Sequence, residues 1–205
     1  MPTATAPDVP TRDRILYATA ELLRRQGYAG TGLKQIVGQA GAPFGSLYHF
    51  FPAGKEQLAD ETLRAGGAFF LALYEAIAAE ADGFPATIAD FFAGAQATLE
   101  ATDYADACPI ATVAGEVAST NDVLRQATAD VFESWLAALG RDAQAAGAAP
   151  AAARALALAV LAQLEGAFLL SRTLRSSEPM VAGAAAAATL VAAALPSSPH
   201  RKRTR

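Results

Sequence analysis

The residue types that most often carry chemistry are scarce in this chain, and their placement narrows the options. His49 is the only histidine ahead of the C-terminal tail, and Cys108 is the only cysteine. No nucleophile elbow, phosphate-cradling glycine loop or metal-ligand cluster can be read from the sequence. A single cysteine excludes an intrachain disulfide and a cysteine-rich zinc site, and beside Pro109 it reads as buried packing. Catalysis, a cofactor and a bound metal are therefore not expected. What the chain does carry is a cluster of hydrogen-bond donors: Ser46, Tyr48, His49 and Lys55, with Thr31 and Lys34 upstream. Such groups donate to phosphate oxygens, and Ser46 also suits a base edge. Gly45 allows a helix to approach closely, and Phe44 could meet a thymine methyl. The chemistry these residues suit is recognition of duplex DNA.

Positioning them requires two short helices at a sharp joint. Thr11 reads as the cap of a first helix whose apolar stripe is Ile15, Ala18, Leu22 and Leu23, stopped by Gly27. Leu33, Ile36, Val37 and Ala40 give a short second helix, with Thr31 expected to cap it, and Gly41 breaks it. Pro43 suits the first turn of a third helix, which must end near Phe51-Pro52. Leu47 and Phe51 are spaced to face a core, leaving Phe44, Gly45, Ser46, Tyr48 and His49 outward. A helix pair of this kind at residues 31–51 is what a helix-turn-helix needs. A longer helix starts near Gly54-Lys55, where free backbone N–H groups and a lysine favour an anion. Gly66-Gly67 is expected to bend it. Further helical segments are predicted near 84–102, 108–118, 121–146, 150–175 and 178–195. No alternating run suggests strands, so the predicted fold is all-α: a three-helix head on a helical body.

The formal net charge is −4. Its distribution matters more: residues 11–64 sum to +2, residues 65–200 to −9, and the tail 201–205 to +4. Only the head and the extreme tail could approach phosphates favourably. Hydrophobic residues make up 53% of the chain and mean hydropathy is +0.23, much of it from alanine, the best helix former. The N-terminus lacks the pattern of a secretory signal. Met180 to Leu195 comes nearest to a membrane segment, but falls short of the roughly 20 residues needed. A cytoplasmic protein with no membrane partner is expected. The expected organisation is a flexible arm at 1–10, a DNA-binding head at 11–53, a body at 54–196 and a basic tail at 197–205.

The run GYAGTGLKQIVGQAGAPFGSLYHFFPAGKEQL, residues 27–58, resembles the N-terminal signature of TetR-family regulators. It carries in order the Gly-Tyr-x-x-Thr motif, the Ala-Gly turn, the Gly-Ser-Leu-Tyr-His-x-Phe helix and Lys-Glu-x-Leu. Cys108-Pro109-Ile110-Ala111 with Glu116 downstream, and Leu164-Glu165-Gly166-Ala167, resemble the LmrA/YxaF-like branch. The resemblance implies phosphate contacts for Thr31, Tyr48, His49 and Lys55, and base contacts near Gly45 and Ser46. Pro43 and Phe44 depart from the family pattern of a polar cap followed by a basic or small residue.

The same resemblance implies a homodimer, paired through the last two long helices, that binds operator DNA and is released by a small, largely apolar effector. Leu161, Glu165, Phe168 and Leu169 are the expected dimer contacts. Candidate cavity-lining residues are Phe91, Phe92, Gln96, Cys108, Phe132, Trp135, Gln163 and Phe168; the two buried amides would orient a ligand. The rival reading is a helical carrier or scaffold whose head no longer binds DNA.

Overall fold

The computed structural model describes residues 9–196. Among the described residues there are nine helices and no strand: α1 (Thr11–Gly30), α2 (Leu33–Gln39), α3 (Phe44–Phe50), α4 (Lys55–Glu80), α5 (Phe84–Ala101), α6 (Pro109–Val117), α7 (Asp122–Ala145), α8 (Pro150–Leu174) and α9 (Glu178–Ala194). The expected arm at 1–10 lies almost wholly outside the described residues, and the basic tail at 197–205 entirely outside them.

Proline and glycine punctuate the chain much as their backbone preferences dictate. Pro85, Pro109, Pro150 and Pro179 occupy the first turns of α5, α6, α8 and α9, where a missing N–H costs nothing. Asn121 caps α7 by accepting from the Leu124 N–H at 2.9 Å. Three sequence expectations shift. Thr11 is the first residue of α1, not its cap; Pro10 precedes the helix. Gly27 breaks α1 with φ +73°, but a further turn runs on to Gly30. Pro43 precedes α3 as its N-cap and does not lie in its first turn. α4 is helical through Gly66-Gly67, and Gly67 lets α4 lie against α7: a Cβ there would stand 2.5 Å from a methyl of Val131. Its carbonyl accepts from Trp135 Nε1 at 2.9 Å.

Three apolar cores follow. The first closes the head, with Ile15, Ala18, Leu22, Ile36, Val37, Ala40, Leu47 and Phe51 packed together. Leu58 of α4 belongs to this core as well, so it extends past the boundary expected at residue 53. The second joins head to body: Leu23 of α1 and Leu63 of α4 pack with Ile110 and Val113 of α6 and Leu124 of α7. The third fills the body between α4, α5, α7, α8 and α9. Within it Gly183 of α9 permits close approach, a Cβ there lying 3.2 Å from the Ala167 side chain and 3.4 Å from the Phe92 ring. Gly183 and Ala187, on the buried face of α9, thus serve packing inside one chain. Among the described residues α8, not α9, is the helix long and apolar enough to cross a membrane by length and composition, at mean hydropathy 1.6. Its buried face packs against α7 and α9.

Candidate functional site

The short helix α3 is held by two fully buried anchors, Leu47 and Phe51, each with no exposed surface. One face inward forces the other outward. Phe44 and Tyr48 stand 43% and 48% exposed, Gly45 and His49 are exposed, and Ser46 is half-buried. Large aromatics left in water on so short a helix mark a face made for contact. Phe44 and Tyr48 meet edge to face at 5.8 Å, and the Tyr48 ring also lies over Gly54, where α4 begins. Lys34 of α2 is exposed.

Two predicted phosphate ligands are placed differently. Thr31 is buried, and its hydroxyl donates to the Gly27 carbonyl at 2.6 Å. The residue that caps α2 is Gly32. Lys55 turns its Nζ onto the Tyr28 carbonyl at 2.6 Å and over the Tyr28 ring at 4.2 Å. Burial pushes the Lys55 ammonium pKa down, against the opposing pull of Glu116. Thr31 therefore closes the turn between α1 and α2, and Lys55 ties the start of α4 to it. Arg14 braces the head itself, donating from Nε to the Ala40 carbonyl at 3.0 Å at the end of α2.

Glu116, on α6, completes this joint. Its carboxylate accepts from the backbone N–H groups of Tyr28 at 2.6 Å and Ala29 at 2.5 Å. These are the donors freed where Gly27 breaks α1. A body helix thus grips the head at the turn leading into α2.

The other end of α6 opens on a cavity of about 340 Å³. Its walls come from α4, α5, α7 and α8 and are overwhelmingly apolar, with Phe70, Tyr74, Phe91, Trp135 and Phe168 supplying the aromatic faces. The polar ends of two of these are turned away: the Tyr74 hydroxyl donates to Asp142 at 2.6 Å, and Trp135 Nε1 to Gly67 as above. Polar side chains of the lining, Arg24, Asp106, Cys108 and Glu165, gather towards α6. Arg24 of α1 pairs with buried Asp106 at 3.0 Å, and Arg25 joins the same carboxylate at 3.3 Å. Cys108 caps α6, its Sγ accepting from the Ala111 N–H at 3.5 Å, and its thiol neighbours the Glu165 carboxyl. Burial raises the Cys108 pKa well above the thiol range, which makes it a poor nucleophile at neutral pH. Burial likewise pushes Glu165 up to about 7.

Of the residues predicted to line a cavity, Phe91, Cys108, Trp135 and Phe168 do so. Four do not. Phe92 is core, packed behind Gly183. Gln96 donates to Glu100 at 2.9 Å on the outer face of α5. Phe132 borders a shallow groove between α7 and α8, and Gln163 lines neither space. Leu161, Glu165 and Phe168, predicted at a dimer contact, line the cavity; Leu169, 67% exposed, lies outside. Arg24, Asp106 and Tyr74 were not foreseen, because their roles arise from contacts distant in sequence.

Comparison with known proteins matches this geometry. Residues 15–62 match the family of bacterial regulatory proteins named for TetR. Residues 85–192 match the C-terminal domain of LmrA/YxaF-like transcriptional regulators. The HTH-type regulator YxaF of Bacillus subtilis is 34% identical over 171 residues, covering 83% of this chain and 90% of its own. LmrA of the same organism is 32% identical, covering 83% and 91%. Among solved structures, the regulatory protein TetR from Rhodobacter sphaeroides superposes with a TM-score of 0.77 at 25% identity, over 86% of this chain and 96% of that one. The chain belongs to the TetR family of bacterial transcriptional regulators, with a helix-turn-helix DNA-binding domain. Its body is of the LmrA/YxaF-like type. The family is one of regulators, not enzymes, whose members bind operator DNA and act as dimers.

Proposed function

We propose that this chain is a dimeric repressor that reads a (pseudo)palindromic operator and lets go when a small, largely apolar molecule fills the body cavity. The observation that carries the reading is the reach of α6: Cys108 at one end lines the cavity, and Glu116 at the other grips the head. Filling the cavity would press on the start of α6, and Glu116 would carry the shift to the Gly27–Ala29 turn and so to α2 and α3. A ligand acts this way only through its differential affinity for the two arrangements. In a dimer the two α3 helices must meet successive major grooves, about 34 Å apart, so a small rotation of each head suffices. Tyr48 and His49 are assigned to the phosphates, and Gly45 and Ser46 to the base edges, with Lys34 nearby.

Dimerisation is assigned to the outer face of α8 and α9. Leu169, Leu170 and Leu174 are 67%, 52% and 62% exposed, and Val181 and Leu190 continue the surface. Apolar area of this kind is costly in water and marks an interface.

Selection of bound duplexes from a random pool, followed by gel retardation, tests the proposal. Two-fold symmetric winners are expected. Tyr48→Ala should weaken binding at least tenfold, corresponding to about 1.4 kcal/mol, with the helical circular dichroism unchanged. Absence of any preferred sequence would instead favour a carrier or scaffold.

A further inference from the structure

We propose that the cavity takes a lipophilic amine, whose protonated nitrogen pairs with the Glu165 carboxylate while its apolar body lies among the aromatic walls. This rests on the reading of the cavity as the effector site.

Among the described residues, Glu165 leaves a buried carboxyl oxygen without a donor: its Oε2 is shielded from solvent and has no hydrogen-bond partner. Buried polar groups are nearly always paired, and Glu165 lines the cavity, so a turn of its carboxyl would bring the orphan oxygen to a donor on whatever fills the space. The protein's own cation is already answered: Arg24 faces Asp106 at 3.0 Å, although its Nε is also unpartnered. The Cys108 thiol beside Glu165 is a weak donor that cannot neutralise a carboxylate, and other donors of the cavity wall are engaged elsewhere. The Tyr74 hydroxyl and the Trp135 ring nitrogen point away, and the Thr98 hydroxyl donates to the Gly94 carbonyl at 2.9 Å. An anionic ligand would set its charge against Glu165. A purely apolar one would leave Oε2 unsatisfied. A cation answers the carboxylate, and the aromatic lining of Trp135, Phe70 and Phe168 suits a cation as well as an apolar body.

The groups that could compete for this charge are few. Arg24 approaches from α1, Tyr74 from α4, and Asp106 and Cys108 from the connection into α6. The lining residues of α5 and α7 are not titratable near neutrality, and beyond Glu165 those of α8 are apolar. Below neutral pH Glu165 gains a proton of its own and no longer calls for a cation.

A matched pair of probes, 6-phenylhexylamine and 6-phenylhexan-1-ol, tests this in the full-length protein. Binding is followed by the fluorescence of Trp135, the single tryptophan, which lines the cavity. At pH 8 the amine should bind at least tenfold more tightly than the alcohol. Its affinity should fall about tenfold on moving to pH 6, with the alcohol unchanged. Glu165→Gln should erase the difference while keeping the alcohol's affinity. An alcohol that binds as well as the amine to the wild type overturns the amine assignment and leaves the effector cavity standing. A preference that persists in Glu165→Gln also overturns it. If neither probe binds up to its solubility limit, the effector-site reading itself fails and the amine falls with it.

Discussion

The grip of Glu116 on the broken end of α1 makes a quantitative prediction about Gly27. Its backbone, at φ +73° and ψ −175°, lies in a region that residues with a Cβ rarely occupy. An alanine there costs about 1–3 kcal/mol in backbone strain alone. The added Cβ would also stand 2.5 Å from Glu116 Oε2, so the carboxylate must withdraw and release the Tyr28 and Ala29 N–H groups. Glu116 is exposed and water can solvate those donors, so the two bonds are worth about 1 kcal/mol each. Gly27→Ala should therefore destabilise by roughly 3–5 kcal/mol, and Glu116→Ala by about 2. The double variant should be no worse than Gly27→Ala, because the clash has lost its partner and the bonds can be broken only once. The cycle thus carries a coupling of about 2 kcal/mol. Chemical denaturation followed by helical circular dichroism, at one fixed protein concentration, measures all four proteins. Strictly additive losses, or a Gly27→Ala cost below about 1 kcal/mol, would refute the argument that the turn and α6 share these bonds.

Two further expectations concern the body. Glu165, pushed up to about 7 from an ordinary 4.5, favours its protonated form in the fold. Stability from this group is complete below about pH 4.5 and lost as pH rises through 7, a swing of at most about 3 kcal/mol. Thermal melts of the ligand-free protein should show Glu165→Gln gaining on the wild type between pH 5 and pH 8; parallel profiles would contradict it. On the outer face, Leu169→Glu combined with Leu174→Glu should yield a folded monomer in sedimentation velocity and lower operator affinity at least tenfold. A dimer that survives both charges would move the interface elsewhere.

Much of this architecture was legible because proline and glycine mark the ends of elements by local backbone physics. Pro43, Gly54, Gly83 and Pro150 set helix starts to within a residue. The exposed face of α3 was equally readable, since Leu47 and Phe51 could face only one core. Side-chain partners were not readable, near or far in sequence. Thr31 and Lys55 look like phosphate ligands by type, yet Gly27 and Tyr28 supply carbonyls that turn them inward. Helical spacing grouped Leu161, Glu165 and Phe168 correctly on one face. Which way that face pointed depended on where α4 and α7 packed, which no local pattern records. Amide chemistry misled in the same way: Gln96 finds its partner in Glu100 one turn along, and needs no ligand.

The seam between head and body has a consequence for how such chains can be recombined. Leu58 closes the head's core from α4, Leu23 of α1 packs into the core built on α6, and Glu116 holds the turn before α2. A head cut at residue 53 would lose Leu58 from its core on one side and leave Leu23 uncovered on the other. Grafting a new operator specificity onto this body therefore means exchanging only the outward residues of α2 and α3, with the seam left intact. A whole-head swap would need to import α4's first turns and a matching α6. In this protein the unit that can be exchanged is a surface, smaller than the domain that carries it.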